Sequence, residues 1–207
     1  MSLFSGITDR FGRYMLGKDL RKEHKVVVQN LGGATKIGIV YRVKDERSFK
    51  RIKNYVKKLK EEQGISKILA LGYYDGGDQP TYLDSRLHYD YFNRKELNWY
   101  GRPHGNKIEN FTGEEYDILI DLSLEDSLPI QFVMAKSKAR FKVGRLSPIN
   151  EKINDMLIDM AGVQSLSQYI LQVDHYLTII NSKNNNGELE SPSARAGVGS
   201  GDGHHVQ

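Results

Sequence analysis

Residues 116–145 read YDILIDLSLEDSLPIQFVMAKSKARFKVGR, and no other stretch restricts the fold as much. Two apolar runs of strand length, 116–122 and 140–145, are too continuous to leave one face in water. Between them lies a helix-length segment in which Ser123 and Asp126 suit a capping pair and Pro129 suits a first turn. Strand, helix, strand is the repeating unit of an open α/β sheet, since parallel neighbours need a crossover of about a dozen residues or more.

The same unit recurs upstream. Lys36–Val43 (KIGIVYRV) is a β-branched run that predicts the first core strand. Asp45 is placed to cap a helix in which Phe49, Ile52, Val56 and Leu59 form one apolar stripe, and Gly64 ends it. The opposite face carries Lys50, Arg51, Lys53, Lys57, Lys58 and Lys60. Lys67–Tyr74 (KILALGYY) follows as the second strand. Downstream, Ile153, Leu157 and Met160 predict one helix, while Leu166, Tyr169, Ile170, Val173, Leu177 and Ile180 predict another, opened by a Ser165/Gln168 capping box.

The expected fold class is therefore α/β: a single Rossmann-like domain over residues 26–181, with a mostly parallel sheet of about four strands flanked by helices. Residues 75–115 interrupt the rhythm as an irregular insertion, opening on the turn cluster DGGDQP and continuing through LDSRLHYDYF, a short strand or hairpin. Residues 1–25 predict an amphipathic basic helix, and the polar, Gly/Ser-rich residues 182–207 predict a disordered tail. In the N-terminal helix Phe4, Ile7, Phe11 and Tyr14 form the stripe expected to dock on the domain, although Gly6, Gly12 and Gly17 weaken the helix.

Composition narrows the function classes. No run of about 18 apolar residues exists to span a bilayer, and the first residues lack a secretory signal pattern. Zero cysteines exclude a disulfide framework, a thiolate metal site and a thiol nucleophile, so a cytoplasmic protein is expected. The net charge is +4, concentrated toward the start in Arg10, Arg13, Lys18, Arg21, Lys22 and Lys25. That balance suits an anionic partner, or a lysine-rich face that only keeps the protein in solution. One short stripe with a few cations and no lipid anchor predicts no stable membrane association.

Two places carry chemistry that could serve a ligand. Ligands of open α/β sheets bind outside the carboxyl ends of the strands. There the sequence places Arg42, Asp75, Asp121, Ser123 and Arg145, with the start of the helix after Asp121 as a seat for an anion. Asp121 would then be a general base or metal ligand; otherwise it closes the strand and Ser123 caps the helix. The second place is the insertion, where Trp99, Tyr100, Arg102, His104 and Lys107 combine stacking faces with cations, as single-strand nucleic-acid binding requires. The same residues would equally cover one end of the sheet.

Other signals are negative. Gly32 and Gly33 precede the first strand, and neither G-x-G-x-x-G nor G-x-x-x-x-G-K-[ST] occurs, so no nucleotide cofactor is expected. Asp75, Asp78 and Asp84 are better explained as turn chemistry than as a Mg²⁺ or Ca²⁺ cage, and no histidine pair has zinc-ligand spacing. Asn110-Phe111-Thr112 fits a glycosylation sequon by chance.

The stretch YDILIDLS…AKSKARFKVG, together with LNWYGRP upstream, resembles an uncharacterised family of Bacteroidota proteins over about residues 20–180. That resemblance implies a shared fold and no activity. The block also resembles the N-terminal half of lipopolysaccharide heptosyltransferases, where a strand like residues 117–122 and one like 139–144 flank a helix. Those enzymes carry a Gly-Asp loop after their first strand, whereas this chain has Val43-Lys44-Asp45-Glu46. They also need a second domain for the nucleotide sugar, so the resemblance implies fold alone.

The sequence thus predicts a non-catalytic binding or accessory protein whose partner is RNA or a ribonucleoprotein. The alternative is a small-ligand sensor or transferase-like enzyme that takes a phosphate or sugar-phosphate at the strand rim.

Overall fold

β1 (Lys36–Val43) runs through the middle of a six-stranded, wholly parallel sheet. The computed structural model describes residues 3–20, 25–83, 88–163 and 165–180, with side-chain surroundings given from residue 6 onward. The expected tail at 182–207, the Phe4 side chain, Asp84, Arg21 and Lys22 lie outside the residues so described. Around β1 stand β2 (Lys67–Tyr74), β3 (Tyr89–Phe92), β4 (Ile118–Asp121), β5 (Lys142–Arg145) and β6 (Met156–Ile158), in the order β3-β2-β1-β4-β5-β6. The order reverses between β1 and β4, where the chain, having built outward to one edge, crosses to the other side.

Both faces of the sheet are covered, which is why its strands are nearly continuous apolar runs. On one face lie α2 (Glu46–Glu61) and α5 (Leu166–Ile179), whose Phe49, Ile52, Leu59, Tyr169, Val173 and Leu177 pack on Ile37, Ile39, Ile118 and Ile120. On the other lie α1 (Leu3–Asp19), α3 (Asn106–Gly113) and α4 (Leu128–Lys136), which bring Leu16, Ile108, Phe111, Ile130 and Val133 against Val40, Leu71 and Leu119.

Local chemistry fixes these elements. The Asp45 side chain accepts the Ser48 N–H at 2.6 Å while the Ser48 hydroxyl accepts the Asp45 N–H at 3.1 Å, a reciprocal cap on α2. Past the helix end Gly64 takes φ +68°, as the sequence predicts for the turn into β2. At the amino edge of the sheet one oxygen of Asp117 accepts the N–H of Thr35 (2.8 Å), the N–H of Lys36 (3.0 Å) and the Thr35 hydroxyl (3.0 Å). This carboxylate stitches the entrance of β1 to that of β4.

Four expectations are corrected. The sheet has six strands rather than about four, because both edges recruit short segments. Residues 75–115 are not an irregular insertion throughout: Tyr89–Phe92 pairs in parallel with β2, so it is no hairpin, and Asn106–Gly113 is α3, the crossover from β3 to β4.

The stripe Ile153, Leu157 and Met160 is not a helix, since Met156–Ile158 forms β6 against β5. Asp155 sets that pairing by exchanging bonds with Lys142: its carboxylate accepts the Lys142 N–H at 2.7 Å and its own N–H meets the Lys142 carbonyl at 2.8 Å.

The fourth correction concerns α1. It does dock, but through Gly12, Met15, Leu16 and Leu20, which leaves Ile7 65% and Tyr14 58% exposed on the stripe expected to be buried.

Candidate functional site: a cleft at the carboxyl ends of β1, β2 and β4

The carboxyl ends of the central strands open into a cleft of about 480 Å³. Val43 from β1, Leu122 just beyond β4 and Leu166 at the start of α5 give it an apolar floor, while Tyr74 and Tyr82 stand as aromatic walls. Its rim carries Arg42, Lys44, Asp75, Asp78 and Glu125. The location follows from topology: strands on either side of the reversal diverge into different crossovers and leave a gap above their ends.

The Arg42 guanidinium lies between two carboxylates, 3.5 Å from Asp75 and 3.3 Å from Glu125. Asp75 in turn takes the Arg94 guanidinium and a hydrogen bond from the Tyr73 hydroxyl (3.2 Å). The Arg94 bond holds the Asp75 carboxyl below the usual range against the opposing effect of burial, with Tyr73 and Arg42 assisting. Burial and the facing Asp75 carboxylate push the Tyr73 hydroxyl up to about 12. Tyr74 is fixed by the Asn93 amide, which donates to its hydroxyl at 3.0 Å. Asp78 pairs with Lys95 at 3.3 Å.

The remaining rim residues of the sequence reading, Asp121, Ser123 and Arg145, cluster beside the cleft and do not line it. Asp121 is only 4% exposed and accepts the Ser123 N–H at 2.8 Å. Burial raises its carboxyl to about 6, even though Ser123 and Arg145 act in the opposite direction. The Ser123 hydroxyl accepts the Arg42 N–H at 3.2 Å, tying the end of β1 to the end of β4. Ser123 therefore neither caps a helix nor marks its start. α4 begins at Leu128 after Ser127, which makes no side-chain cap bond, and Asp126 serves instead as the partner of Arg145, Ser147 (3.1 Å) and Gln131 (3.2 Å).

Sequence reasoning placed Arg42 and Asp75 in the cleft and missed Lys44, Glu125, Tyr82 and Leu166. It also missed Arg94, the partner of Asp75. Lys44, Glu125 and Leu166 lie at or within a few residues of a strand or helix terminus, so topology alone would have drawn them in, whereas Tyr82 sits in the middle of the loop between β2 and β3 and had no such signal. Arg94 follows β3, and recognising Tyr89–Phe92 as a strand parallel to β2 would have placed it at the same rim.

The second cluster lies on the α1/α4 side. Asn98 closes a tight turn by accepting the N–H groups of Tyr100 (3.2 Å) and Arg102 (2.9 Å), with Gly101 at φ +86°. Trp99 stands at the tip, 65% exposed, its ring stacked on Phe11 at 4.7 Å. Tyr100 packs edge-on to Phe11 and Phe132. Arg102 pairs with Asp19 at 2.9 Å and lies over the Phe132 ring, while Lys107 pairs with Glu96 at 2.8 Å and donates to the Tyr91 carbonyl. His104 is exposed, its backbone N–H bonded to the Glu96 carbonyl. The cations expected to meet phosphate are thus engaged with acids of the chain itself.

Among the described residues no group of three or more His, Asp or Glu side chains is placed to hold a metal ion, and no helix is long and apolar enough to cross a membrane.

Fold and cleft together define an α/β protein with a parallel sheet, helices on both faces and a pocket at the point where strand order reverses. The chain belongs to the family of unknown function DUF6913, which matches residues 9–180 and so takes in most of α1 as well as the sheet. No curated protein and no solved structure matches it, so the Bacteroidota and heptosyltransferase likenesses read from the sequence find no support in these comparisons.

Proposed function

We propose that this is a Rossmann-like binding domain that takes a small organic molecule in the cleft above β1, β2 and β4, without performing chemistry on it. The carrying observation is the cleft itself, whose apolar floor and two tyrosine walls lie at the position where sheets with this strand order receive ligands. The rim sets the charge class. The lining cations Arg42 and Lys44 face Asp75, Asp78 and Glu125, but Arg42 is held between two of these carboxylates while Asp75 also takes Arg94 and Asp78 takes Lys95, so the rim charges are largely paired with one another. The amino end of α2, which could have received a phosphate, is occupied by the Asp45 cap. A ring-bearing molecule without net charge fits this paired rim better than a sugar-phosphate, which needs free cations. Non-catalytic binding is favoured because Asp121, the carboxylate the sequence offers as a general base, is buried and does not line the cleft.

Thermal-shift screening of the full chain tests the reading, with nucleosides, aromatic amines and amino acids in one arm and nucleotides and sugar-phosphates in the other. A ligand at about 100 times its Kd adds about 2.7 kcal/mol, which for a chain of this size raises Tm by roughly 5–10 °C. Filling the cleft with Leu124→Trp is expected to abolish the shift. A response confined to phosphorylated compounds would reverse the charge argument, and no response in either arm would remove the reading.

A further inference from the structure

α1 is apolar on two sides, and only one of them is used. Its inner side, with Gly12, Leu16 and Leu20, is packed on the domain. Its outer side presents Ile7 and Tyr14 to solvent, with the half-covered Phe11 continuing onto the exposed face of Trp99. The result is a convex aliphatic and aromatic ridge along a helix about 25 Å long.

The charges beside that ridge are of one sign. Arg10, Arg13 and Lys18 flank it, with the Lys18 ammonium 4.9 Å from the centre of the Tyr14 ring. Of the two acids on α1, Asp9 is taken by Arg13 at 2.9 Å and Asp19 turns inward to Arg102 at 2.9 Å. We propose that this face of α1, with Trp99 beside it, is a reversible docking surface for an anionic lipid bilayer.

The chemistry separates a bilayer from the other anionic partner, RNA. Base stacking has use for Trp99 and Tyr14 but none for Ile7, and it needs free cations beside the rings to meet phosphates. The cations around the Trp99 turn are engaged by acids of the chain, Arg94 by Asp75, Arg102 by Asp19 and Lys107 by Glu96, so the free cations Arg10 and Lys18 lie on α1 along the aliphatic ridge. A bilayer interface uses the aliphatic side chain by burying it, holds Trp and Tyr rings at headgroup depth, and needs only the flanking Arg10 and Lys18 for attraction. One short ridge without a lipid anchor gives weak binding that depends on anionic headgroups and is lost in salt.

Trp99 is the chain's single tryptophan, so its emission reports on this surface directly. The full chain is mixed with vesicles of phosphatidylcholine alone or of phosphatidylcholine with phosphatidylglycerol, then followed by flotation and fluorescence. The expected result is co-flotation and a blue-shifted emission with the anionic vesicles only, both reversed by salt. Ile7→Glu combined with Tyr14→Glu should abolish both signals, and Arg10→Glu should lower partitioning by about fivefold or more. These side chains face solvent, so melting temperatures should stay unchanged; should the double variant unfold, Arg10→Glu alone decides. Absence of flotation with anionic vesicles, or flotation indifferent to these substitutions, overturns the proposal. So does a Trp99 response to a single-stranded RNA oligonucleotide with none to vesicles.

Discussion

Gly12 lies against the carbonyl of Tyr100 so closely that a β-carbon on it would stand 2.5 Å from that oxygen and 2.7 Å from Leu128 Cδ2. The carbonyl belongs to a turn held by both Asn98 bonds and cannot give way cheaply. This contact decides which side of α1 meets the domain. Gly12→Ala gains about 1 kcal/mol of helix propensity and loses about 1–3 kcal/mol to overpacking, so Tm is expected to fall. A rise would mean that α1 does not pack at this point.

Gly17 on the same helix supplies the control. A β-carbon there meets nothing within 4 Å. Gly17→Ala is expected to stabilise by about 1 kcal/mol and raise Tm by roughly 2–4 °C, opposite in sign to Gly12→Ala. Equal effects at the two positions would show that helix propensity, not docking, governs the segment.

Asp117 joins the entrances of β1 and β4 through three hydrogen bonds to one oxygen. Burial acts to raise its carboxyl, but the Thr35 and Lys36 N–H groups, the Thr35 hydroxyl and Arg140 outweigh it and hold the group below the usual range. Because the folded value is depressed, the contribution is present above the unfolded value of about 3.9 and is lost as pH falls through the folded one. Asp117→Ala is expected to cost about 2–3 kcal/mol near neutral pH and progressively less at acid pH, below the unfolded value of about 3.9. Urea melts at neutral and at acid pH check this.

The parts of the fold legible in the sequence are those where pattern and local chemistry agree. β1, β2 and α2 lie where the apolar runs, the Asp45 cap and Gly64 place them. The two edge strands were only partly legible: β3 lies in the segment read as a short strand or hairpin, and β6 in one read as a helix. Four and three residues are too few to show a period, and what makes them strands is a neighbour's backbone together with Asp155, contacts made only after folding. The outward stripe of α1 misled for a related reason. Helical periodicity reveals that a face is apolar but not what covers it, and the steric demand at Gly12 chose the other side. At the cleft, Arg42 and Asp75 were legible from strand-end positions, while their pairing with Glu125 and Arg94 needed the loops that topology brings together.

Asp121 makes a pH prediction of opposite sign to Asp117. Burial raises its folded value to about 6, so the folded state holds its proton more tightly than the unfolded chain does. Its favourable contribution is complete below about pH 3.9 and disappears as pH rises through about 6, beyond which a buried charge is carried at a cost. Asp121→Asn keeps an oxygen to accept the Ser123 N–H and removes that charge. It should stabilise by on the order of 2–3 kcal/mol at pH 7.5 and by little at pH 4. Paired thermal melts read the difference, and a variant destabilised at pH 7.5 would instead mark a charge that Arg145 needs.

Asp75 tests the charge class of the cleft. It neutralises Arg42 and Arg94 together, and its carboxyl is held low by the Arg94 bond first, so it stays ionised through the mildly acidic range. Wild-type protein should therefore bind inorganic pyrophosphate poorly at both pH 7.5 and pH 5, with no acid-induced gain from this group. Asp75→Asn removes one negative charge from the rim and leaves Arg94 without that carboxylate and Arg42 with Glu125 alone. Pyrophosphate affinity is expected to rise by about fivefold, the equivalent of about 1 kcal/mol for one partly screened charge. Isothermal titration at low salt measures it. Tight pyrophosphate binding already present in the wild type, or weakened by Asp75→Asn, would show that the carboxylate positions Arg42 for an anion and would return the cleft to the phosphate class.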